Sequence, residues 1–236
     1  MNITVLVSSS PCAKHPGTDM IETTVHSIRH HLPNERIVIM QDGVRPEQRR
    51  LAEAYNNYVI RLVNLANENV SVMYQSDFRH QALTTLDALA SVDSPLILFV
   101  EHDTPLMYRE IDWEFLHNAI RFGIVNMVRL HYDEFIHPDH YYLMRGRLGT
   151  NLYKTIQWSQ RPHLARTTWY TDLLKKHFTP TSRCFIEDKV YSPVVSAPWE
   201  EYKLAIYDPK GTGLDMKCSR DLNGRGAEAK YDQVFE

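Results

Sequence analysis

The sequence predicts an α/β fold with a mostly parallel central sheet flanked by helices. Four short apolar runs recur through the first hundred residues: ITVLV (3–7), RIVIM (36–40), SVMYQ (71–75) and LILFV (96–100). Segments with a helical spacing of apolar residues separate these runs. Strands that alternate with helices are typical of parallel sheets built from right-handed crossovers. The 236 residues, 43% of them hydrophobic, predict one large domain.

The first crossover is predicted to be a helix with a marked start and end. Asp19 and Glu22, three positions apart, predict a capping box. Apolar residues then recur at helical spacing from Ile21 to Leu32, immediately before Pro33.

The next two connections are also predicted to be helical. The turn pair Asp42-Gly43 ends the second run, and the charged segment 46–66 follows it. Residues 80–92 place three leucines along one helical face before the fourth run begins.

The second half of the chain has a weaker pattern. We predict helices at 112–122, 167–178 and 186–195, and strands at 123–130 and 155–160. Residues 131–150, dense in His, Tyr and Asp, are predicted to form either a long functional loop or an irregular hairpin. The glycine-containing C-terminal segment is predicted to be an extended arm. We divide the single domain into a first half (1–110), a second half (111–200) and the arm (201–236).

Composition excludes several classes of protein. A formal charge of -3 and a pI near 6.5 argue against tight non-specific nucleic-acid binding. Three cysteines without a CxxC pair argue against a disulfide framework and a zinc-cysteine site. The amino terminus MNITVLVSSS lacks a cationic region and is interpreted as a strand, not a signal peptide. With no apolar run of about 20 residues, we expect no membrane span. The cysteine pattern predicts a reducing, cytoplasmic location.

Two carboxylates directly follow the fourth apolar run. Glu101 and Asp103 flank His102, and the carboxyl ends of parallel strands are where open α/β folds bind ligands. Carboxylate oxygens are preferred by Mg²⁺ and Mn²⁺, so the pair predicts a divalent cation site. The alternative is that both are exposed loop carboxylates.

The order of these features resembles that of the GT-A nucleotide-sugar glycosyltransferases. The similarity is to the large inverting family that includes cellulose and chitin synthases. Glu101 and Asp103 stand in place of that family's Asp-x-Asp, and Glu187 with Asp188 in place of its Glu-Asp pair. Asp42 follows the second strand as the pattern requires. Residues 77–85, DFRHQALTT, replace the Gly-rich, Arg-Asn segment of the family.

The resemblance implies that residues 1–110 form a nucleotide-binding half and residues 111–200 an acceptor-binding half. It also implies a function and a role for each carboxylate. The implied reaction moves a sugar from a nucleoside-diphosphate sugar to an acceptor hydroxyl, with inversion. Asp103 ligates Mn²⁺ or Mg²⁺, while Glu101 ligates through water or contacts the ribose. Asp42 contacts the nucleobase or ribose. Asp188, with Glu187 as the alternative, removes the acceptor proton. The other interpretation of the Glu-Asp pair is a favourable charge at a helix N-terminus.

Further donor contacts are predicted from serines and basic residues. Ser8 and Ser9 follow the first strand, and Arg79 precedes the third predicted helix. Arg220 and Arg225 of the arm are predicted to pair with phosphate oxygens. The alternatives are ordinary loop residues, a solvated helix face and a flexible tail.

Three other functions stay open. A nucleotidyltransferase uses the same kind of acidic metal site, and a non-catalytic nucleotide- or sugar-binding protein needs no catalysis. A metal-dependent hydrolase could use the 131–142 loop, although Pro138 breaks the helix that would align its histidines. The candidate ligands in that loop are His131, Asp133, His137, Asp139 and His140. The acceptor could be a glycan, a small molecule, a protein or DNA carrying hydroxymethylated pyrimidines.

Overall fold

A computed structural model describes residues 1–10 and 17–222. Its strands are β1 (Ile3–Ser9), β2 (Arg36–Gln41), β3 (Val70–Tyr74), β4 (Leu96–Glu101), β5 (Met127–Arg129), β6 (Met144–Leu148), β7 (Leu152–Thr155), β8 (His163–Arg166) and β9 (Leu204–Tyr207). Its α-helices are α1 (Asp19–His31), α2 (Ala52–Asn64), α3 (His80–Leu89), α4 (Trp113–Arg121), α5 (Thr167–His177), α6 (Ile186–Ser196) and α7 (Trp199–Tyr202). Short 3₁₀ helices span Pro46–Leu51 and Pro138–Leu143.

The strands form one sheet in the order β3-β2-β1-β4-β8-β5-β9-β7-β6. Strands β3, β2, β1 and β4 are parallel, as the alternating pattern predicts. Beyond β4 the sheet is mixed, because β8 runs antiparallel to both of its neighbours, β4 and β5. The α/β fold class with a large central sheet is therefore confirmed.

Both faces of the sheet are covered by helices. One hydrophobic cluster joins the sheet to residues of α1, α2 and α4, and a second joins it to α3, α5 and α6. This arrangement explains why β4 is apolar at every position before Glu101: Leu98 faces the first cluster and Phe99 the second.

The register of the parallel strands brings polar side chains to one edge. Ser8 of β1 is paired with Glu101 of β4, and Ser9 is paired with Gln41 of β2. Asp42 follows directly, and its N–H donates to the Ser9 carbonyl at 3.0 Å. The carboxyl ends of β1, β2 and β4 therefore meet as predicted.

Several predicted elements differ in the structure. Helix α1 begins at Asp19 with Thr18 as N-cap, and no side chain caps its backbone, so the predicted Asp19 capping box is wrong. Instead, the Thr18 hydroxyl donates to the Glu22 carboxylate. The strand predicted at 123–130 is confined to β5, since Gly123 takes a positive φ of 71° in the turn after α4.

The segment 155–160 is not a strand beyond Thr155, where β7 ends. Its polar groups make local or side-chain contacts instead: the Gln157 N–H donates to Thr155 Oγ1 at 3.0 Å. Residues 131–150 contain a 3₁₀ helix followed by β6, which pairs antiparallel with β7, so the irregular hairpin is the correct alternative. Among the described helices, none combines the length and the apolar character that a bilayer crossing requires.

Candidate functional site

Two cavities open at the polar edge of the sheet and share Glu101 and Asp103. The first, here called the edge cavity, has a volume of about 260 Å³ and lies at the ends of β1, β2 and β4. Its other walls include Ser8, Ser9, Asp42, Phe78, His80 and Phe185. The second, here called the arm cavity, has a volume of about 310 Å³. Its other walls include Arg129, His131, Gln157, Arg161, Glu187 and Asp221.

Asp103 is a buried carboxylate at the junction of the two cavities. It is 6% exposed, and its carboxylate makes no hydrogen bond or ion pair with any residue in 1–10 or 17–222. An ionised carboxylate in a buried place needs a compensating charge or donor. Its charge and hard oxygens fit a divalent cation that also contacts substrate phosphates. Three or more His, Cys, Asp or Glu side chains do not come together as a metal cluster anywhere in the described chain.

Glu101 is held by Gln81, a residue that the sequence analysis does not single out. Gln81 Nε2 donates to Glu101 Oε1 at 3.0 Å, and Gln81 Oε1 accepts from the backbone N–H of Ile186 at 3.2 Å. Gln160 Nε2 also donates to Gln81 Oε1. If the oxygen and nitrogen of the Gln160 amide exchanged places, its oxygen would accept from the N–H groups at the start of α6, but it would also face Gln81 Oε1. Gln81 cannot turn its nitrogen toward Gln160, because that nitrogen is the donor to the Glu101 carboxylate. We therefore prefer the orientation in which the Gln160 nitrogen donates to Gln81.

Asp42 is buried and holds the start of α3. Its Oδ1 accepts from the N–H groups of Gly43 and Arg79, each at 2.8 Å, and its Oδ2 accepts from the His80 N–H at 2.9 Å. Burial raises the pKa of this carboxyl group, and the three backbone hydrogen bonds oppose that rise. Oδ2 keeps acceptor capacity toward the edge cavity, since a carboxylate oxygen has two lone pairs.

The remaining predicted donor contacts differ in their surroundings. Ser8 and Ser9 line the edge cavity, and the Ser9 hydroxyl lies 3.1 Å from the Tyr58 hydroxyl. Arg79 does not line either cavity, because its guanidinium donates from Nη2 to Asp87 Oδ1 at 3.0 Å. The surface-helix alternative therefore describes its side chain in the structure.

Glu187 and Asp188 lie on different sides of the start of α6. The Glu187 side chain lines the arm cavity. Asp188 is exposed and does not line that cavity; its Oδ2 accepts from the Phe185 N–H at 2.8 Å and so caps α6. Of this pair, Glu187 therefore lies at the cavity, whereas the resemblance gives the first preference to Asp188.

Arg129 is a second residue missed by the sequence analysis. It ends β5, is 4% exposed and lines the arm cavity. Burial lowers its pKa to about 10, and the Coulomb effect of Glu187 is the largest that opposes this. A cationic residue at the end of the apolar segment GIVNMVRL was the signal available in the sequence.

The described end of the arm closes one side of the arm cavity. The N–H of Leu222 donates to the Asp103 carbonyl at 2.8 Å. Arg161 Nη1 pairs with Asp221 Oδ2 at 2.8 Å, and its guanidinium lies 3.9 Å from the centre of the Tyr132 ring. The pKa of Arg161 is raised by its bond to Asp221, although burial opposes this.

Of the two arm arginines predicted to bind phosphate, only one lies in the described range. Arg220 is exposed and lies outside both cavities; its N–H donates to the Pro105 carbonyl at 3.0 Å. Arg225 lies outside the described residues.

Three of the five candidate ligands in the histidine-rich loop, His131, Asp133 and His140, line the arm cavity. His131 Nε2 contacts the Phe135 carbonyl at 3.2 Å, while His137 pairs with Asp139 at 3.5 Å near the surface. Burial lowers the pKa of His131 to about 4, and Arg129 adds to this effect. Within the described residues, no three His, Cys, Asp or Glu side chains are grouped so that they could hold a metal ion.

Comparison with solved structures identifies the architecture. S. aureus TarS 1-349 matches at a TM-score of 0.55 and 12% identity, over 99% of this chain and 64% of that one. GalNAc-T7 with UDP, GalNAc and Mn²⁺ matches at a TM-score of 0.56 and 15% identity, over 95% of this chain and 45% of that one. The chain has the GT-A fold. S. aureus TarS 1-349 in complex with UDP matches this GT-A chain at a TM-score of 0.53 and 12% identity, over 87% of this chain and 57% of that one.

The extent of the GT-A likeness is limited in two ways. The chain spans less than two thirds of the length of each of these structures. No protein-family model matches it, and no curated protein matches its sequence. At 12–15% identity the likeness establishes the fold alone.

Proposed function

We propose that the chain is a metal-dependent glycosyltransferase that moves a sugar from a nucleoside-diphosphate sugar to an acceptor hydroxyl, with inversion. The observation that carries this proposal is Asp103, a buried carboxylate without a partner among the described residues, at the junction of two cavities. Two adjoining cavities suit a transfer between two substrates. Residues 1–110 supply most of the edge cavity and residues 111–200 most of the arm cavity, which supports the division into donor and acceptor halves.

The edge cavity is the proposed donor site. Phe78, His80 and Phe185 give it aromatic walls that suit a nucleobase, and Asp42 Oδ2 offers an acceptor for a base or ribose donor group. Two of the similar structures are complexes with UDP, and one of them also holds Mn²⁺. These complexes support UDP as the first nucleotide to test.

Asp103 is the proposed main ligand of Mn²⁺ or Mg²⁺, with Glu101 as a second ligand or a ribose contact. Glu101 already accepts a bond from Gln81, whereas the Asp103 oxygens are not used by the described residues. When bound, such a cation offsets the negative charge that develops on a departing diphosphate.

Glu187 is the proposed proton acceptor. In the transfer, the acceptor oxygen forms a bond to the anomeric carbon while the bond from that carbon to the phosphate oxygen breaks. The proton of the acceptor hydroxyl passes to the Glu187 carboxylate, and the nucleoside diphosphate leaves. Glu187 lines the arm cavity and not the edge cavity, and the two cavities share Asp103, which supports this role.

Thermal unfolding with nucleotides tests the donor site. UDP, GDP, CDP and ADP are each added with and without MnCl₂. Binding at 100 times Kd adds about 2.7 kcal/mol of stability, and each kcal/mol raises the midpoint by about 2–4 °C in a chain of this size. We expect a manganese-dependent rise with one diphosphate, followed by release of that diphosphate from its sugar conjugate. Proton NMR of the product reports inversion.

Two variants make this test specific. Asp103→Asn removes the charge at the cavity junction and is expected to abolish the manganese-dependent rise. Asp93→Asn removes an exposed carboxylate outside both cavities and is expected to preserve it. Equal rises in the two variants, or no rise with any diphosphate, would contradict the proposed site. Binding without sugar release would favour the non-catalytic alternative.

A further inference from the structure

Arg129 holds a buried positive charge that few protein groups contact. Its Nη2 donates to Gln157 Oε1 at 3.0 Å, and this is the one hydrogen bond that the guanidinium makes to residues 1–10 and 17–222. Its Nε is buried without a partner, and no carboxylate of the described residues forms an ion pair with it. A guanidinium has five N–H donors, so most of its hydrogen-bonding capacity is unused.

The negative charges around Arg129 offset only part of the energetic cost of burying its cation. Glu187 and Asp133 stabilise the cation by Coulomb attraction, yet burial is the larger effect and lowers the pKa of Arg129. A buried charge that lacks a direct partner is costly to the fold. Binding sites retain such charges because a ligand of opposite charge supplies the missing partner.

The other arginine in the arm cavity has a partner. Arg161 is paired with Asp221 and lies over the Tyr132 ring, so its charge is already compensated. Arg129 also lies next to His131, whose Nε2 faces the Phe135 carbonyl and whose Nδ1 has no partner in the described chain. Unused polar groups are therefore concentrated on the wall formed by Arg129 and His131.

We propose that the arm cavity binds its substrate through an anionic group, a carboxylate or a phosphate, that pairs with the guanidinium of Arg129. That this substrate is the acceptor rests on the proposed function, whereas the anion site does not. The cavity volume of about 310 Å³ suits one sugar-sized molecule. Glu101, Asp103 and Glu187 also line this cavity and repel an anion, so the charged end of the substrate is directed to Arg129 and a hydroxyl end toward the carboxylates.

Matched sugars test the site on the wild-type chain. Binding of glucose 6-phosphate, glucuronate and glucose is measured by calorimetry, first without nucleotide and then with UDP and MnCl₂. We expect at least one anionic sugar to bind at least 10-fold more tightly than glucose, with UDP causing no displacement. The preference between phosphate and carboxylate then identifies the anion. Equal affinities for the three sugars would overturn the proposal.

Two further results would assign the anion to the donor and overturn its place on the acceptor. One is displacement of the anionic sugar by UDP. The other is tighter binding of UDP-glucuronate than of UDP-glucose by 10-fold or more. If UDP does not bind at all while the anionic sugars do, the anion site stands and the proposed function fails.

Two variants separate an anion site from a structural cation. Gln157→Glu places a carboxylate at the group that already contacts Arg129, and is expected to abolish the preference for anionic sugars while raising the unfolding midpoint. Arg129→Met removes the charge at similar size, and is expected to lower the affinity for anionic sugars at least 10-fold without lowering the midpoint. Arg220→Met, at an exposed arginine outside the cavity, should change neither quantity. Retained preference for anions in both cavity variants would contradict the site.

Discussion

Gln81 connects Glu101, at the end of β4, to the first residue of α6. Its amide nitrogen donates to the Glu101 carboxylate at 3.0 Å, and its oxygen accepts from the Ile186 N–H at 3.2 Å. Glu187 is the next residue in the chain. One buried side chain therefore fixes both the proposed cation site and the proposed proton acceptor, and links the two cavities.

Replacing Gln81 by leucine is expected to reduce both stability and transfer. Glu101 and the Ile186 N–H each lose a buried partner, so the free energy of unfolding should fall by about 1–3 kcal/mol. Misplacement of the start of α6 should lower kcat by about 10- to 100-fold. Urea denaturation and steady-state kinetics measure the two effects. Gln75→Leu, which removes a bond to Asp87 outside both cavities, is the control. Unchanged kcat in Gln81→Leu would show that this link does not position the reacting groups.

Glu187 and Asp188 are adjacent, so exchanging each for its amide is a matched test. Glu187→Gln should lower kcat by about 10²- to 10⁴-fold, because the proton acceptor is lost. The unfolding midpoint should also fall, since the buried Arg129 cation loses the Coulomb attraction of Glu187. Asp188→Asn weakens the cap of α6 and should lower the free energy of unfolding by about 0.5–2 kcal/mol while transfer continues. Loss of transfer in Asp188→Asn alone would restore the assignment implied by the resemblance.

Gly43 leaves no room for a side chain. A Cβ placed there would lie 2.7 Å from the Phe78 backbone nitrogen, within the loop whose N–H groups bind Asp42. Gly43→Ala should therefore lower the free energy of unfolding by about 1–3 kcal/mol and weaken nucleotide binding in the edge cavity. Gly146→Ala has open space but a φ of 88°, so it should cost about 1–2 kcal/mol without affecting nucleotide binding. Unimpaired binding in Gly43→Ala would mean that this loop does not shape the site.

The buried His163 predicts a loss of stability in acid. Its Nδ1–H donates to the Arg161 carbonyl at 2.8 Å, Nε2 lies 3.1 Å from the Tyr170 hydroxyl, and burial lowers its pKa from 6.5 to about 4. The unfolded chain takes up the proton first as pH falls, so this contribution is complete above pH 6.5 and declines toward pH 4. The full loss is about 3 kcal/mol by linkage.

Urea denaturation between pH 7 and pH 4 measures this loss. His163→Phe should show a smaller acid-dependent decline than the wild type, whatever its stability at pH 7. Tyr170→Phe removes the neighbouring hydroxyl but keeps the imidazole, and should retain the decline. Equal declines in the wild type and His163→Phe would mean that other groups cause the acid sensitivity.

Continuous apolar runs made the first half of the fold predictable. Strands β1, β2 and β4 are largely buried on both faces, so apolar residues dominate their sequences until the edge where Asp42 and Glu101 appear. The four-residue strands β8 and β9 were not predicted, because short segments acquire their strand conformation from the neighbours with which they pair. Periodicity carries no information about that pairing.

The site was predictable to the extent that strand ends determine it. Gln81 and Arg129 were not predicted as site residues. The role of a polar residue in an apolar helix or strand depends on which groups pack against it in the fold, and the sequence does not show these groups. Which of Glu187 and Asp188 faces the cavity depends on how α6 is rotated about its axis. The identities of two adjacent acidic residues do not specify this rotation.

The bond between the Leu222 N–H and the Asp103 carbonyl has a consequence for biosynthesis. These residues lie more than a hundred positions apart, so the contact forms only after most of the chain has been made. The parallel strands β1 to β4 emerge from the ribosome much earlier and can pair before the wall of the arm cavity exists. A ribosome-bound chain that ends before Asp221 should therefore acquire the edge cavity while the arm cavity stays open on the side that the arm covers.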